Sequence, residues 1–151
     1  MISSPAKVLD RFSGCSDVSV CDSGQARVLN LERGGITIKV TVPFDVLEWF
    51  VDVMDGQTVV VHEWADYEGY DDTPKEELAR SMESEVEEFV SKLINRDIRL
   101  VARRKTRIEE FVSRLLNRDV RFFAPGRKLE WMVKGSWEQA LPVPYPCVSA
   151  K

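Results

Sequence analysis

The sequence predicts a single α+β domain of 151 residues, in which an antiparallel β-meander is followed by two duplicated helix-strand units. Three observations predict this class: period-two alternation of apolar and polar residues in the first half, helical spacing of apolar residues in the second half, and a segment that occurs twice. We place a β-rich half at 1–64, an acidic loop at 65–73, a tandem helix-strand repeat at 74–124, and a strand with a proline-rich tail at 125–151.

The first half contains two predicted β-hairpins. Gly34-Gly35 and Asp55-Gly56 are dipeptides that adopt the positive φ angles of tight hairpin turns. A helix over 44–54 is the alternative for one of the strands, but its valine and aromatic residues alternate and favour a strand. The strands are predicted at 27–31, 36–42, 48–54 and 58–64.

The segment 87–101 recurs at 109–123. Ten of the fifteen positions are identical, and the other five exchange lysine for arginine or one apolar residue for another. Two copies are fewer than a solenoid needs for stability. We therefore interpret the repeat as a local duplication within one domain.

Each copy predicts a helix followed by a short strand. Thr73 is the predicted N-cap of the first helix, and Asn95 and Asn117 are predicted to close the two helices in the left-handed conformation. The strands at 98–100 and 120–122 are expected to be parallel neighbours joined by a right-handed crossover. The apolar stripes are Leu78, Met82, Val86, Phe89, Val90, Leu93 and Ile94 in the first copy, and Ile108, Phe111, Val112, Leu115 and Leu116 in the second.

The formal net charge of −4 is distributed unevenly along the chain. Residues 45–88 hold fifteen acidic and two basic residues, whereas residues 89–134 hold thirteen basic and five acidic residues. These two segments neutralise each other if they fold together. The uneven charge is therefore compatible with a purely structural role as well as with binding.

No uninterrupted apolar run exceeds three residues, which excludes a spanning helix of ~20 apolar residues. The first residues lack the apolar segment of a secretory signal, so we expect a cytoplasmic protein that does not associate with membranes. In that compartment Cys15, Cys21 and Cys147 are expected to be reduced thiols, and their odd number argues against a disulfide framework.

No catalytic signature is present in the sequence. The nucleophile elbow, the P-loop and the dinucleotide-binding glycine pattern are absent, so no catalytic residue and no cofactor is predicted. His62 is the only histidine, and nearby acids could join it around a cation as in a metal-dependent hydrolase. The spacing of these acids fits neither an EF-hand nor a zinc motif, so we expect no metal. The acids are Glu63, Asp66, Glu68, Asp71 and Asp72.

A basic stretch at 99–107 provides a nucleic-acid-binding alternative, because phosphate contacts require clustered lysine and arginine. The net negative charge of the chain weakens this interpretation. An inter-element linker whose charges face the acidic segment is the plain structural explanation. The basic residues are Arg99, Arg103, Arg104, Lys105 and Arg107.

The favoured hypothesis is that an acidic aromatic segment binds a protein partner with a basic surface. Its rings supply contact area and its carboxylates steer the encounter. An immunity-type or inhibitor-type protein is the concrete form of this hypothesis, and a core position for Trp64 is the structural alternative. The predicted binding residues are Trp64, Asp66, Tyr67, Glu68, Tyr70, Asp71 and Asp72.

Overall fold

The computed structural model describes residues 4–67, 72–102, 107–118 and 127–141. They form a mixed α+β fold with a five-stranded antiparallel meander, a smaller three-stranded sheet, and helices. In chain order the elements are a 3₁₀ helix at Pro5–Phe12, β1 at Val18–Ser23, β2 at Ala26–Arg33, β3 at Ile36–Pro43, β4 at Glu48–Asp55, β5 at Thr58–Asp66, α1 at Lys75–Asn95, β6 at Ile98–Ala102, α2 at Arg107–Leu116, β7 at Arg127–Val133 and β8 at Ser136–Gln139.

The large sheet follows the chain from β1 to β5, and each strand pairs antiparallel with the next. This confirms the predicted meander. The strand interpretation of 48–54 is confirmed as well, because β4 covers that range. Gly34, Gly35 and Gly56 have φ angles of 59°, 81° and 64°, as tight hairpin turns require.

Two elements near the N-terminus were not predicted. β1 is a mostly exposed edge strand, so it lacks the strong apolar alternation of a half-buried strand. The 3₁₀ helix is capped by Ser4, whose hydroxyl accepts a hydrogen bond from the Ala6 N–H at 3.3 Å. Its residues Val8 and Leu9 are buried in the core.

The small sheet has the order β6-β7-β8, and both pairings are antiparallel. α1 is followed by β6, but the strand predicted at 120–122 lies outside the described residues, so the duplicated helix-strand unit stays a prediction. β8 was not predicted. It follows a tight turn in which Lys134 and Gly135 have φ angles of 49° and 83°.

α1 begins later than the sequence predicted. Pro74 occupies the N-cap position with an extended backbone (φ −59°, ψ 143°), and no side chain caps the helix. The predicted N-cap at Thr73 is therefore wrong. The apolar stripe from Leu78 to Leu93 is buried as predicted, and Ile94 packs at the edge of the core.

The two copies of the repeat end their helices differently. Asn117 has a φ of 52°, which confirms the left-handed closure of α2. Asn95 has no positive φ and remains within α1, so its predicted closure is wrong. The guanidinium of Arg33 replaces that closure by donating hydrogen bonds to three carbonyl oxygens at the end of α1, those of Leu93, Ile94 and Arg96.

The two sheets and α1 share one hydrophobic core. The ring of Phe89 in α1 lies 5.5 Å from the ring of Trp49 in β4 and 5.6 Å from the ring of Trp131 in β7. Both pairs are tilted, an arrangement that aromatic quadrupoles favour. Phe89 therefore connects the large sheet to the small one.

None of the helices in the described ranges is long and apolar enough to cross a membrane. Cys15 and Cys21 are free cysteines. Cys147 lies outside the described residues.

Candidate functional site

The residues predicted to bind a partner do not all lie in a loop. β5 continues to Asp66, so Trp64 and Asp66 are strand residues, and the acidic loop begins later than the predicted residue 65. Asp72 is exposed just before α1. Glu68, Tyr70 and Asp71 lie outside the described residues.

Tyr67 is fully buried and belongs to the core rather than to a binding surface. Its hydroxyl oxygen accepts a hydrogen bond from the indole N–H of Trp49 at 3.3 Å, and its O–H donates to the carboxylate of Glu85. A buried phenol requires such partners. Tyr67 thereby links β4 to α1, so we leave it out of the binding surface.

The side of β4 and β5 that points away from the core carries a group of acidic and aromatic residues. In β4 the alternate residues are buried, so the intervening ones point outward. Three cross-strand pairs lie on this outer side. We call it the acidic aromatic face; its pairs are Glu48 with Asp66, Phe50 with Trp64, and Asp52 with His62.

Phe50 lies at the centre of the acidic aromatic face, between two other rings. Its centroid is 6.5 Å from that of Trp64, with planes 11° apart, and 6.1 Å from that of His62, with planes 22° apart. Glu48 accepts a hydrogen bond from the Trp64 indole N–H at 3.1 Å, and Asp52 pairs with His62. The rings are therefore ordered by one another and by the flanking carboxylates.

This face combines an exposed ring with acidic side chains. The Trp64 side chain is 51% exposed. Three carboxylates surround the rings, and Lys39 of β3 is the cross-strand neighbour of Asp52. Glu48, Phe50 and Asp52 were not predicted as site residues, although the alternation along β4 identifies them as outward residues.

A β-bulge decides which residues of β5 join the face. β5 carries one extra residue, Val60, opposite Val53 and Met54 of β4. In a hairpin without the bulge, Trp64 would lie opposite Trp49 on the buried side, because a one-residue shift moves every side chain to the other face. The bulge therefore turns Trp64 outward.

A cavity of about 380 Å³ lies between α1 and the small sheet. Phe89 and Trp131 line it, and the guanidinium carbon of Arg96 lies 5.2 Å from the centre of the Trp131 ring. Burial raises the pKa of Glu85 on the cavity wall, and the hydrogen bond from Tyr67 opposes that rise. The described residues of the lining include no serine, cysteine or histidine, so they offer no nucleophile of those types.

The predicted basic stretch is only partly described. The Nε–H of Arg99 donates a hydrogen bond to Glu130 Oε1 at 2.9 Å, and its Nη2 forms an ion pair with the same oxygen at 2.8 Å. The guanidinium carbon of Arg99 lies 4.2 Å from the centre of the Trp137 ring. Arg99, with help from Lys128, holds the pKa of Glu130 below its ordinary value. Arg107 is exposed at the start of α2. Arg103, Arg104 and Lys105 lie outside the described residues.

In the described ranges, no three histidine, cysteine or acidic side chains are grouped so as to hold a metal ion. His62 is paired with Asp52 on the outer face. Glu63 lies opposite Val51, on the other side of the sheet from His62. These two neighbours in sequence therefore point away from each other.

Comparison with known proteins gives no relative. No protein-family model, curated protein or solved structure matches the chain.

Proposed function

We propose that the protein is a non-catalytic protein-binding module whose acidic aromatic face engages a partner with a basic surface. An immunity-type or inhibitor-type protein that neutralises a basic partner is the concrete form of the proposal. The observation that carries it is the stack of half-buried Phe50 with the exposed rings of His62 and Trp64, set among carboxylates.

The rings suit the centre of an interface. Tryptophan is enriched among the residues that dominate binding energy, and ordering before binding lowers the entropy lost on association. A lysine or arginine of the partner placed over Trp64 gains a cation–π contact. The hydrogen bond from the Trp64 indole N–H to the Glu48 carboxylate fixes the orientation of that ring before binding.

The carboxylates of the acidic aromatic face are expected to increase the rate at which a basic partner associates. Glu48, Asp52 and Asp66 lie on one outer side of the sheet, where they attract a cationic surface and disfavour an anionic one. Because such charges lie at the surface, their attraction falls as salt screens it. Binding through this face is therefore expected to be salt-sensitive.

The proposal is tested by capture from a native lysate with the immobilised chain and two matched variants. Trp64 and Val59 are both on β5 and both 51% exposed, so Trp64→Ala and Val59→Ala remove equally accessible side chains from one strand. We expect Trp64→Ala to weaken retention of a basic protein about tenfold or more, as loss of an interface anchor does. Val59→Ala is expected to retain it, and the double variant Glu48→Lys with Asp66→Lys to slow its association.

Two results contradict the proposal. One is retention that Trp64→Ala and the double lysine variant leave unchanged. The other is retention that disappears on nuclease treatment and on Arg103→Glu with Arg104→Glu, which would support nucleic-acid binding by the basic stretch. Circular dichroism of each variant shows that a loss of binding is not a loss of fold.

A further inference from the structure

The apolar surface left exposed by the described residues lies on two elements only. Four of its six large side chains belong to α2 and two belong to β5. Isolated apolar side chains are normal on a protein surface, whereas a contiguous group marks an interaction site. The four on α2 are Ile108, Phe111, Leu115 and Leu116, with exposures from 51% to 70%.

α2 therefore presents its apolar stripe outward. Ile108, Phe111 and Leu115 are spaced three and four residues apart, so they form one continuous row on the helix. Glu109, in contrast, is buried and has interaction partners. The helix is thus oriented with a carboxylate inward and its apolar row toward solvent.

The exposed charges on α2 are mainly positive. The helix and its closing turn expose three arginines, Arg107, Arg114 and Arg118. Glu110 is their one exposed acidic residue. None of the three arginines has an ion pair in the described parts of the chain. An apolar row bordered by unpaired arginines fits an apolar surface bordered by carboxylates.

The acidic aromatic face has that chemistry. It places the rings of Phe50 and Trp64 among three carboxylates. From Glu48 to Asp52 it extends about 13 Å along β4, at about 3.3 Å per residue, and the ten residues of α2 extend about 15 Å. The two surfaces therefore match in size, polarity and charge.

The repeat gives independent support. Phe111 of α2 corresponds to Phe89 of α1, which packs on Trp49 from the inner side of the large sheet. Trp64 and Phe50 lie on the outer side of the same sheet. The duplicated segment thus contains a helix face that already packs on tryptophan elsewhere in the molecule.

We infer that α2 of one copy of this chain docks on the acidic aromatic face of a second copy. The inference rests on that face being a binding surface, as the proposed function holds. Helix and face are different surfaces, so the contact is heterologous, and repeated contacts build rings or open chains rather than stopping at a two-fold dimer. With one short helix, the interface lies near the roughly 1,000 Å² lower limit for specific association, so self-association is weak and concentration-dependent.

The test is mass measurement by sedimentation over a concentration series with two single variants and their mixture. Phe111→Glu disables the helix and keeps the face; Trp64→Ala disables the face and keeps the helix. We expect the unmodified chain to form assemblies and each variant alone to shift the midpoint about tenfold or more to higher concentration. The equimolar mixture is expected to form a dimer, because one intact helix and one intact face remain.

Three results overturn the inference: an unmodified chain that stays monomeric at all concentrations, assemblies that persist in both variants, or a mixture that does not pair. Assemblies that only Phe111→Glu dissolves would show that α2 packs on another α2 or on another surface. Capture of a basic partner by the Phe111→Glu variant tests the proposed function separately from self-association. Phe111→Glu leaves the acidic aromatic face intact, so capture of a basic partner by that variant persists even if self-association fails.

Discussion

The end of α1, from Glu87, and α2 from Glu109 have nearly the same sequence but lie in opposite environments. Phe89 and Leu93 of α1 are 4% and 0% exposed, whereas their counterparts Phe111 and Leu115 of α2 are 66% and 70% exposed. The side chains and their spacing are the same in both helices. What differs is the neighbouring surface, because α1 lies against Trp49 and Trp131 and α2 has no such neighbour in the described ranges. An apolar stripe thus specifies a packing face but not the surface that covers it.

The largest expected difference between the two helices is in the effect of a matched pair of truncations, Phe89→Ala and Phe111→Ala, on the free energy of unfolding. Removing the buried ring leaves a cavity between the two sheets and should lower the free energy of unfolding by about 3 to 5 kcal/mol. Removing the exposed ring should change it by less than about 0.5 kcal/mol. Urea denaturation at a protein concentration too low for self-association measures both values. Equal losses in the two variants would show that α2 is as well packed as α1.

The C-termini of the two helices differ in a second way. α2 closes on itself: the N–H of Arg118 donates to Ser113 O at 3.1 Å and that of Asn117 donates to Arg114 O at 3.3 Å, the paired bonds of a Schellman motif. α1 depends on a distant residue, since Arg33 of β2 holds its last carbonyls and also pairs with Asp17 at 2.7 Å. One closure is local and the other joins α1 to the sheet.

Arg33→Ala is therefore expected to destabilise the fold by about 2 kcal/mol, as the loss of hydrogen bonds from a charged donor does. Arg27 of the same strand is the control, because its ion pairs in the described ranges go to the exposed residues Asp10 and Asp22 and not to α1. Arg27→Ala should lower the free energy of unfolding by less than about 1 kcal/mol. Urea denaturation compares the two, and a smaller loss for Arg33→Ala than for Arg27→Ala would remove Arg33 from the closure of α1.

The sequence predicted the parts of the fold that local patterns determine. Alternation and glycine turns located β2 to β5, and helical spacing located α1, because each signal lies within a few residues of the element it specifies. The end of α1 is different: Asn95 has nearly the same local sequence as Asn117 but no positive φ. The carbonyl of Ile94 beside it instead accepts a hydrogen bond from Arg33, 61 residues away in the sequence. A contact between residues so far apart in the chain cannot be predicted from the sequence around Asn95.

The candidate site was predictable only in part for a similar reason. Trp64 and Asp66 were identified from composition, but their orientation depends on the extra residue at Val60. A single inserted residue exchanges the inner and outer sides of a strand, and nothing in the run of valines at 59–61 says which of them is the extra one. Tyr67 was assigned to the surface because it stands among acidic residues, whereas the structure buries it completely.

The smallest expected changes in stability come from a pair of glycine substitutions at corresponding positions at the ends of the two helices. Asn95 is the last residue of α1 and lacks a positive φ, so Asn95→Gly adds backbone entropy to the unfolded state and removes the long hydrogen bond to Ser91 at 3.5 Å. It should destabilise α1 by about 0.5 kcal/mol. Asn117 has a φ of 52°, a conformation that costs glycine nothing, so Asn117→Gly should stabilise the end of α2 by about 0.5 kcal/mol.

Amide hydrogen exchange measures the stability of each helix end separately. We expect slower exchange at Arg118 in Asn117→Gly and faster exchange in the last turn of α1 in Asn95→Gly. Changes of the same sign in both variants would mean that the two helices end alike in solution.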